Sequence, residues 1–204
     1  SQNMDAKKTY FSNVGDQLGL YNGTKYEEVP SYYKENNPYF MDKRVVNGSI
    51  QYFHVNYENV NFRYDVFADI LIFEDPNHIV QLINDEIQGF TIDKMQFVPL
   101  GDKYGIQKGF YQVLHDGKTK AFKKYIKYKK EKIVFSELVG TFDPYYEHYI
   151  LFKNTMYPIE GKKQILKLFA DKKSAIRQFI RKNKLRFGKN PDEFISKITA
   201  FYDL

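Results

Sequence analysis

A chain of 204 residues, 43% of them hydrophobic, is long enough to bury a core without disulfides, and its lack of Cys excludes thiolate metal sites and cysteine nucleophiles. The 18 Tyr and 18 Phe, with no Trp, favour half-buried strands. No apolar run approaches the length of a membrane span. The net charge of +6 is uneven: residues 162–189 carry 11 Lys and Arg against one acid, residues 118–132 carry eight Lys against one acid, and the remainder is net −11.

The N-terminal half reads as short strands separated by turns. Residues 1–16 show no sustained period and predict a loose lead-in. Asn22–Gly23, between two short apolar runs, predicts a hairpin, because Asn-Gly suits turn residues with positive φ. Asn47–Gly48 predicts a second turn, and residues 45–74 predict strand after strand.

Two further hairpins are predicted in the second half of the chain. Asp116–Gly117 predicts the tip of one, and its return strand, residues 118–130, alternates apolar and Lys positions. Edge strands are commonly protected by Lys, so this strand is interpreted as an edge. A last hairpin turns through Lys153–Asn154.

From Gly161 onward the apolar period changes from two to three and four residues, which predicts two or three helices. Asp171 is interpreted as the N-cap of the second helix and Asn183 as its end. Asn190 and Pro191 predict the start of the last helix.

Strands first and helices last predict an α+β fold. Its main part is expected to be an antiparallel, hairpin-rich β-sheet, arranged as a sandwich or an open barrel-like sheet. We expect one domain over residues 17–204, with a β-rich body at 17–160 and a helical segment at 161–204.

Recognisable catalytic motifs are absent from the sequence. It has no glycine-rich phosphate loop, dinucleotide fingerprint or nucleophile elbow, and its four His are too scattered for a zinc site. We therefore predict no catalytic residue, metal or cofactor, and the sequence leans against an enzyme. Paired carboxylates leave a hydrolase open, although turn and strand-end positions explain them equally well. The carboxylates that would have to converge in a hydrolase are Asp65, Asp69, Glu74, Asp85 and Asp143.

The two basic segments allow two interpretations: they meet an anionic partner, or they neutralise the acidic remainder of the chain. For the first, the candidate binding residues are Arg177, Arg181, Lys184, Arg186, Lys123 and Lys127. Phe179 and Phe187 among the basic residues raise the possibility of nucleic acid. Phe179 fits the apolar helical stripe, however, and the acidic remainder would repel a polyanion, so the sequence argues against nucleic acid.

Several structural motifs resemble an uncharacterised family of exported proteins of Gram-negative, gut-type anaerobic bacteria. The matching segments are Leu20-Tyr21-Asn22-Gly23 with Tyr26, Asn37-Pro38-Tyr39-Phe40, Tyr57, Val60, Tyr64 and Asp65, Gly109-Phe110-Tyr111-Gln112-Val113-Leu114 with Asp116-Gly117, Phe169-Ala170-Asp171-Lys172-Lys173, and Phe179-Ile180-Arg181-Lys182-Asn183-Lys184-Leu185. The resemblance covers most of the chain from residue 17 and brings no catalytic residue with it. It implies an export signal upstream of Ser1 and a periplasmic or envelope location.

The expected function is therefore a non-enzymatic, envelope-associated binding or structural module whose partner is a protein, a glycan or an anionic surface. Two alternatives stay open. One is a hydrolase acting on envelope polysaccharide, and the other is binding of an anionic polymer or nucleic acid through the basic C-terminal helices.

Overall fold

The structure, a computed structural model, describes residues 17–30, 32–42 and 45–204, so the predicted lead-in at residues 1–16 lies outside the described residues. Within them, twelve strands are followed by three C-terminal α-helices, and every strand pairing is antiparallel except a short parallel one between the second and eleventh strands. The predicted α+β fold, mainly antiparallel sheet followed by helices, is confirmed.

The strands are β1 Gly23–Lys25, β2 Tyr33–Glu35, β3 Val46–Tyr52, β4 Val55–Asp65, β5 Ile70–Glu74, β6 Ile79–Leu82, β7 Ile87–Ile92, β8 Met95–Leu100, β9 Gly109–Asp116, β10 Lys120–Val134, β11 Glu137–Phe152 and β12 Thr155–Pro158. The helices are α1 Lys162–Leu168, α2 Lys173–Lys182 and α3 Pro191–Asp203. No helix in the described ranges is both long and apolar enough to cross a membrane.

The chain divides into two compact units. The first contains the described residues up to Gln96 together with Lys127–Pro144, and its strands follow the order β1-β6-β5-β4-β3-β7. The second contains Phe97–Ile126 and Tyr145–Leu204, with the three helices and the strand order β8-β9-β10-β11-β12. The long strands β10 and β11 each contribute residues to both units. The expectation of a single domain over 17–204 stays a prediction.

Both predicted Asn-Gly turns, at Asn22–Gly23 and Asn47–Gly48, are wrong. Gly23 opens β1, which pairs with β6, and Gly48 lies inside β3. Neither glycine has positive φ. A Cβ added at Gly48 would collide with the carbonyl oxygen of Thr91 on β7, and one at Gly23 with that of Gln81 on β6. These glycines therefore permit close approach of neighbouring strand backbones rather than chain reversal.

Three tight reversals lie instead at pairs of residues that both have positive φ. Phe53–His54 joins β3 to β4, Phe135–Ser136 joins β10 to β11, and Lys153–Asn154 joins β11 to β12. The hairpin through Lys153–Asn154 is confirmed, as is the one at Asp116–Gly117 between β9 and β10. A bulky aromatic residue at positive φ is uncommon, so the sequence carries no turn signal at Phe53 or Phe135.

The interpretation of the basic strand as an edge is wrong. In the second unit β10 lies between β9 and β11, and both of its sides are hydrogen-bonded. Lys123 and Lys124 are buried rather than solvent-facing. Lysine can be buried when its aliphatic stem packs and its ammonium group finds a partner. Lys124 does so by donating to the Phe110 carbonyl at 3.3 Å and lying over the Tyr111 ring.

Within the second unit, the helical segment packs on β10 and β11 through a continuous apolar cluster. Its buried members are Ala121, Ile150, Ile159, Ile165, Leu166, Phe169, Ile176, Ile180, Leu185, Phe194, Ile195 and Ile198. The predicted limits at Asn183 and Asn190–Pro191 are confirmed, with Asn190 Oδ1 accepting from the Glu193 amide at 3.1 Å. The prediction that Asp171 caps α2 is wrong, because Asp171 lies in a 3-10 turn before that helix. Its carboxylate accepts a hydrogen bond from the Tyr202 hydroxyl of α3 at 3.0 Å.

Candidate functional site

Five cationic side chains line a groove of about 660 Å³ beside α1 and α2, in the second unit. They are Lys162, Lys163, Lys167, Lys173 and Arg177. Leu166 and Ala170 complete the lining, which contains no acidic residue. The groove is therefore a cationic surface with a small apolar floor.

The apolar faces of the two helices fix where these cations lie. Ile165 on α1 and Ile176 and Ile180 on α2 are buried in the cluster described above. Lys163 and Lys167 are four residues apart on α1, and Lys173 and Arg177 are four residues apart on α2. Residues four apart on a helix share one face. Docking of the apolar faces therefore leaves two rows of cations at the surface.

No acid in the described chain neutralises these cations. None of the five forms an ion pair there, and all five are exposed. Like charges at four-residue spacing repel one another, and the repulsion is screened only over about 10 Å at 0.1 M salt. A bound anion would relieve that repulsion.

The six predicted binding residues fall into three groups. Arg177 lines the groove, and Arg181 lies one turn further along the same face of α2, exposed. Lys184 and Arg186 are exposed in the segment after α2, outside the groove lining. Lys123 and Lys127 are buried. The sequence-based list missed Lys162, Lys163, Lys167 and Lys173, although their four-residue spacing within the basic segment was a usable signal.

Lys123 is held inside the second unit. Its Nζ bonds to Asp192 Oδ2 at 2.8 Å and lies 4.3 and 4.5 Å from the ring centroids of Tyr146 and Tyr125. Asp192 also bonds to His148 Nε2 at 2.7 Å. Burial disfavours the carboxylate, but the hydrogen bonds from His148 and Lys123 outweigh it and lower the pKa of Asp192. In this cluster the charges compensate one another.

Lys127 is held in the first unit, where its Nζ donates to the Asn37 carbonyl oxygen at 2.7 Å. It also favours the ionised form of the buried Asp65 through its charge. The ammonium groups of Lys123 and Lys127 are thus occupied by groups of the fold, and their role in binding a partner stays a prediction.

The aromatic side chains that suggested base stacking pack within the second unit. Phe179 stacks on Phe201 with ring centroids 4.4 Å apart. Phe187 meets Phe194 edge to face at 5.6 Å. Neither lines the cationic groove, whose lining contains no aromatic residue. The groove therefore offers charge but no stacking platform.

Arg63, which the sequence did not single out, is the centre of a buried charge cluster in the first unit. Its side chain has no exposed surface, and its guanidinium lies 2.6 Å from both Glu28 Oε1 and Glu74 Oε2. Burial disfavours the guanidinium charge, but the hydrogen bonds to Glu28, Glu74 and Tyr39 raise the pKa of Arg63 overall. Glu74 is thereby a structural partner of a buried cation.

The other carboxylates considered for hydrolysis also have partners within the first unit. Asp65 accepts from the Ala68 amide at 2.9 Å and from the Tyr26 hydroxyl at 3.3 Å, and burial raises its pKa. Asp69 accepts from the Tyr64 hydroxyl at 2.7 Å, and Asp143 pairs with Lys130. The described residues contain no group of three or more His, Asp and Glu placed to hold a metal ion. A hydrolase stays an alternative without an assembled site.

Comparison of the chain with protein-family models, curated proteins and solved structures finds no match. The resemblance to exported envelope proteins and the periplasmic location accordingly stay predictions. The groove has to be interpreted from its own chemistry.

Proposed function

We propose that this protein is a binding module whose groove beside α1 and α2 takes an anionic partner. The observation that carries the proposal is the set of five exposed cations, from Lys162 to Arg177, that line one groove and form no ion pair within the described chain. Charge that is not neutralised internally is the electrostatic feature expected of a surface that attracts anions.

The arrangement favours a partner with repeated negative charges over a single carboxylate. Each helix carries a pair of these cations four residues apart, with Cβ atoms about 6 Å apart, and Lys ammonium groups act as adaptable point charges. The lack of aromatic residues in the lining favours an anionic polymer over single-stranded nucleic acid. An acidic glycan or another anionic polymer of the cell envelope fits this chemistry, and export of the protein to the envelope is part of the proposal.

Binding of polyanions by matched charge variants tests the proposal. The groove variant is Lys163→Glu, Lys167→Glu and Arg177→Glu; the control is Lys103→Glu, Lys118→Glu and Lys153→Glu, which changes the net charge equally at exposed sites of the same unit. We expect the groove variant to lose at least about tenfold in affinity for polyglutamate and dextran sulfate, and the control to lose much less.

Equal losses in the two variants would show that only net charge matters and would contradict a specific groove. An oligonucleotide arm tests the remaining alternative, because tighter binding of single-stranded DNA than of dextran sulfate at equal salt would favour nucleic acid. Circular dichroism checks that both variants are folded. Fractionation of cells expressing the full-length gene tests export, and recovery only from the cytoplasmic fraction would contradict it.

A further inference from the structure

A separate cleft of about 380 Å³ lies in the second unit beside His148. Aromatic side chains form much of its lining, chiefly Tyr145, Tyr146 and Phe187. Tyr145 and Tyr146 are each about half exposed, although Tyr rings are usually more buried than that. The cleft therefore presents aromatic surface to solvent, which is the composition of a ligand site rather than of a solvated turn.

The cleft also carries two carboxylates. Glu147 and Glu160 line it, and no Lys or Arg does. Glu147 accepts from the Tyr149 hydroxyl at 2.7 Å and Glu160 from Gln164 at 3.4 Å, so neither carboxylate is neutralised by a cation in the described chain. In a protein with a net charge of +6, an acidic and aromatic cleft selects for a positively charged ligand.

His148 also lines the cleft. Its Nε2 bonds to the Asp192 carboxylate at 2.7 Å, and only 8% of its side chain is exposed. The imidazole ring is therefore a fixed part of the cleft wall.

The molecule already binds one ammonium group with the same chemistry. Lys123 Nζ lies against the rings of Tyr125 and Tyr146 and bonds to the Asp192 carboxylate, at the distances given above. Tyr146 takes part in that internal site and also lines the cleft. Aromatic faces combined with a carboxylate are the groups by which proteins recognise ammonium ions.

We propose that the cleft bounded by Tyr145, Tyr146, Phe187, Glu147 and Glu160 binds an organic ammonium ion. The aromatic rings contact the cation and its carbon substituents, while the two carboxylates supply the opposite charge. This site is distinct from the cationic groove, and neither proposal depends on the other.

Three small probes that share a hydroxyethyl chain test the charge requirement. Choline and ethanolamine carry a quaternary and a primary ammonium group on the same hydroxyethyl chain, and 3,3-dimethylbutan-1-ol is the neutral isostere of choline. We expect at least one ammonium probe to shift aromatic resonances of the protein saturably, with Kd in the millimolar range, and the isostere to bind about tenfold more weakly or not at all. Choline alone would identify quaternary groups as the ligand, and ethanolamine alone would identify hydrogen-bonding amines.

Matched variants locate the binding. Glu147→Gln with Glu160→Gln should weaken the ammonium probe about tenfold, whereas Asp102→Asn with Asp116→Asn, which removes the same charge elsewhere in the unit, should not. Tyr145→Leu should weaken it, and Tyr157→Leu, at a similarly exposed tyrosine outside the cleft, should not. Three results would each overturn the proposal. The neutral isostere could bind as tightly as the ammonium probes, the control variants could lose as much affinity as the cleft variants, or the aromatic resonances could show no saturable shift up to about 50 mM probe.

Discussion

The two basic segments of this chain have similar charge densities and opposite structural roles. In residues 118–132 four of the eight lysines form ion pairs: Lys120, Lys123, Lys129 and Lys130. Two more, Lys124 and Lys127, donate to backbone carbonyls. In residues 162–189 none of the 11 cations forms an ion pair with an acid of the described chain. One segment is compensated internally and the other is not.

Secondary structure explains the difference. Lys123, Lys124 and Lys127 on β10 are buried, so they need partners within the fold. An amphipathic helix docks through one stripe and leaves its other residues at the surface. The helical segment therefore keeps its cations at the surface, although a charge count along the sequence treats the two segments alike.

The largest effect should come from removing the carboxylate that holds the buried lysine. Asp192→Ala leaves Lys123, whose side chain is only 11% exposed, without its anion. Because an uncompensated buried charge is strongly unfavourable, the free energy of unfolding should fall by roughly 3 kcal/mol in urea titrations. Lys123→Met with Asp192→Ala should restore much of the loss. If the double variant is no more stable than Asp192→Ala alone, the pair does not act as a unit.

The acid limb of the stability curve should show the next effect. The hydrogen bonds that overcome burial lower the folded-state pKa of Asp192 below its unfolded value. Its contribution is therefore fully present above about pH 4 and is lost as the pH falls through the folded pKa. Asp192→Asn should flatten the pH dependence of stability below pH 4, measured by urea unfolding. Arg177→Gln, which alters the exposed groove, should leave that limb unchanged, and a matching change would contradict the contrast.

Much of the fold could be predicted because the spacing of apolar residues along the chain differs between strands and helices. The change from period two to periods of three and four at Gly161 marks where the helices begin, and Asn190–Pro191 marks the last one. The positions of the strands were harder to predict. Gly23 and Gly48 follow Asn, as in many turns, but they lie in strands, where they allow a neighbouring strand to approach closely. The real turns at Phe53–His54 and Phe135–Ser136 contain residues that turns seldom use, so only the assembled sheet reveals them.

Only part of the candidate site could be predicted, because local spacing indicates which residues face solvent but not which distant residues pair. Arg177 was identified from the basic run, because helical spacing alone shows that it is off the apolar stripe. Lys123 looked equivalent, but its environment depends on Asp192, 69 residues away in sequence. The partners of Arg63 are equally remote, at separations of 35 and 11 residues. Charge pairs between residues far apart in the chain leave no local sequence pattern, so these partners could not be predicted from the sequence.

A smaller effect of opposite sign is expected in the helical segment. Lys163→Glu places an acid in the first turn of α1, which has none, and creates a Glu–Lys pair with Lys167 four residues later. Both changes favour the helix, so stability should rise by about 0.5 kcal/mol at low salt, measured by urea unfolding. Lys163→Gln removes only the repulsion and should give a smaller gain. A loss of stability in Lys163→Glu would mean that the groove cations are supported by contacts within the fold.

The smallest effect should come from an ion pair at the exposed end of the strand segment. Asp116 and Lys120 face each other across the β9–β10 hairpin, with 59% and 42% of their side chains exposed. Exposed pairs contribute little, so Asp116→Ala should change the free energy of unfolding by less than about 0.5 kcal/mol, and 0.5 M salt should remove what remains. Measured beside Asp192→Ala under the same conditions, this variant separates burial from charge pairing as the cause of the larger loss. Comparable losses in the two variants would show that pairing alone, and not the buried position of Lys123, stabilises the segment.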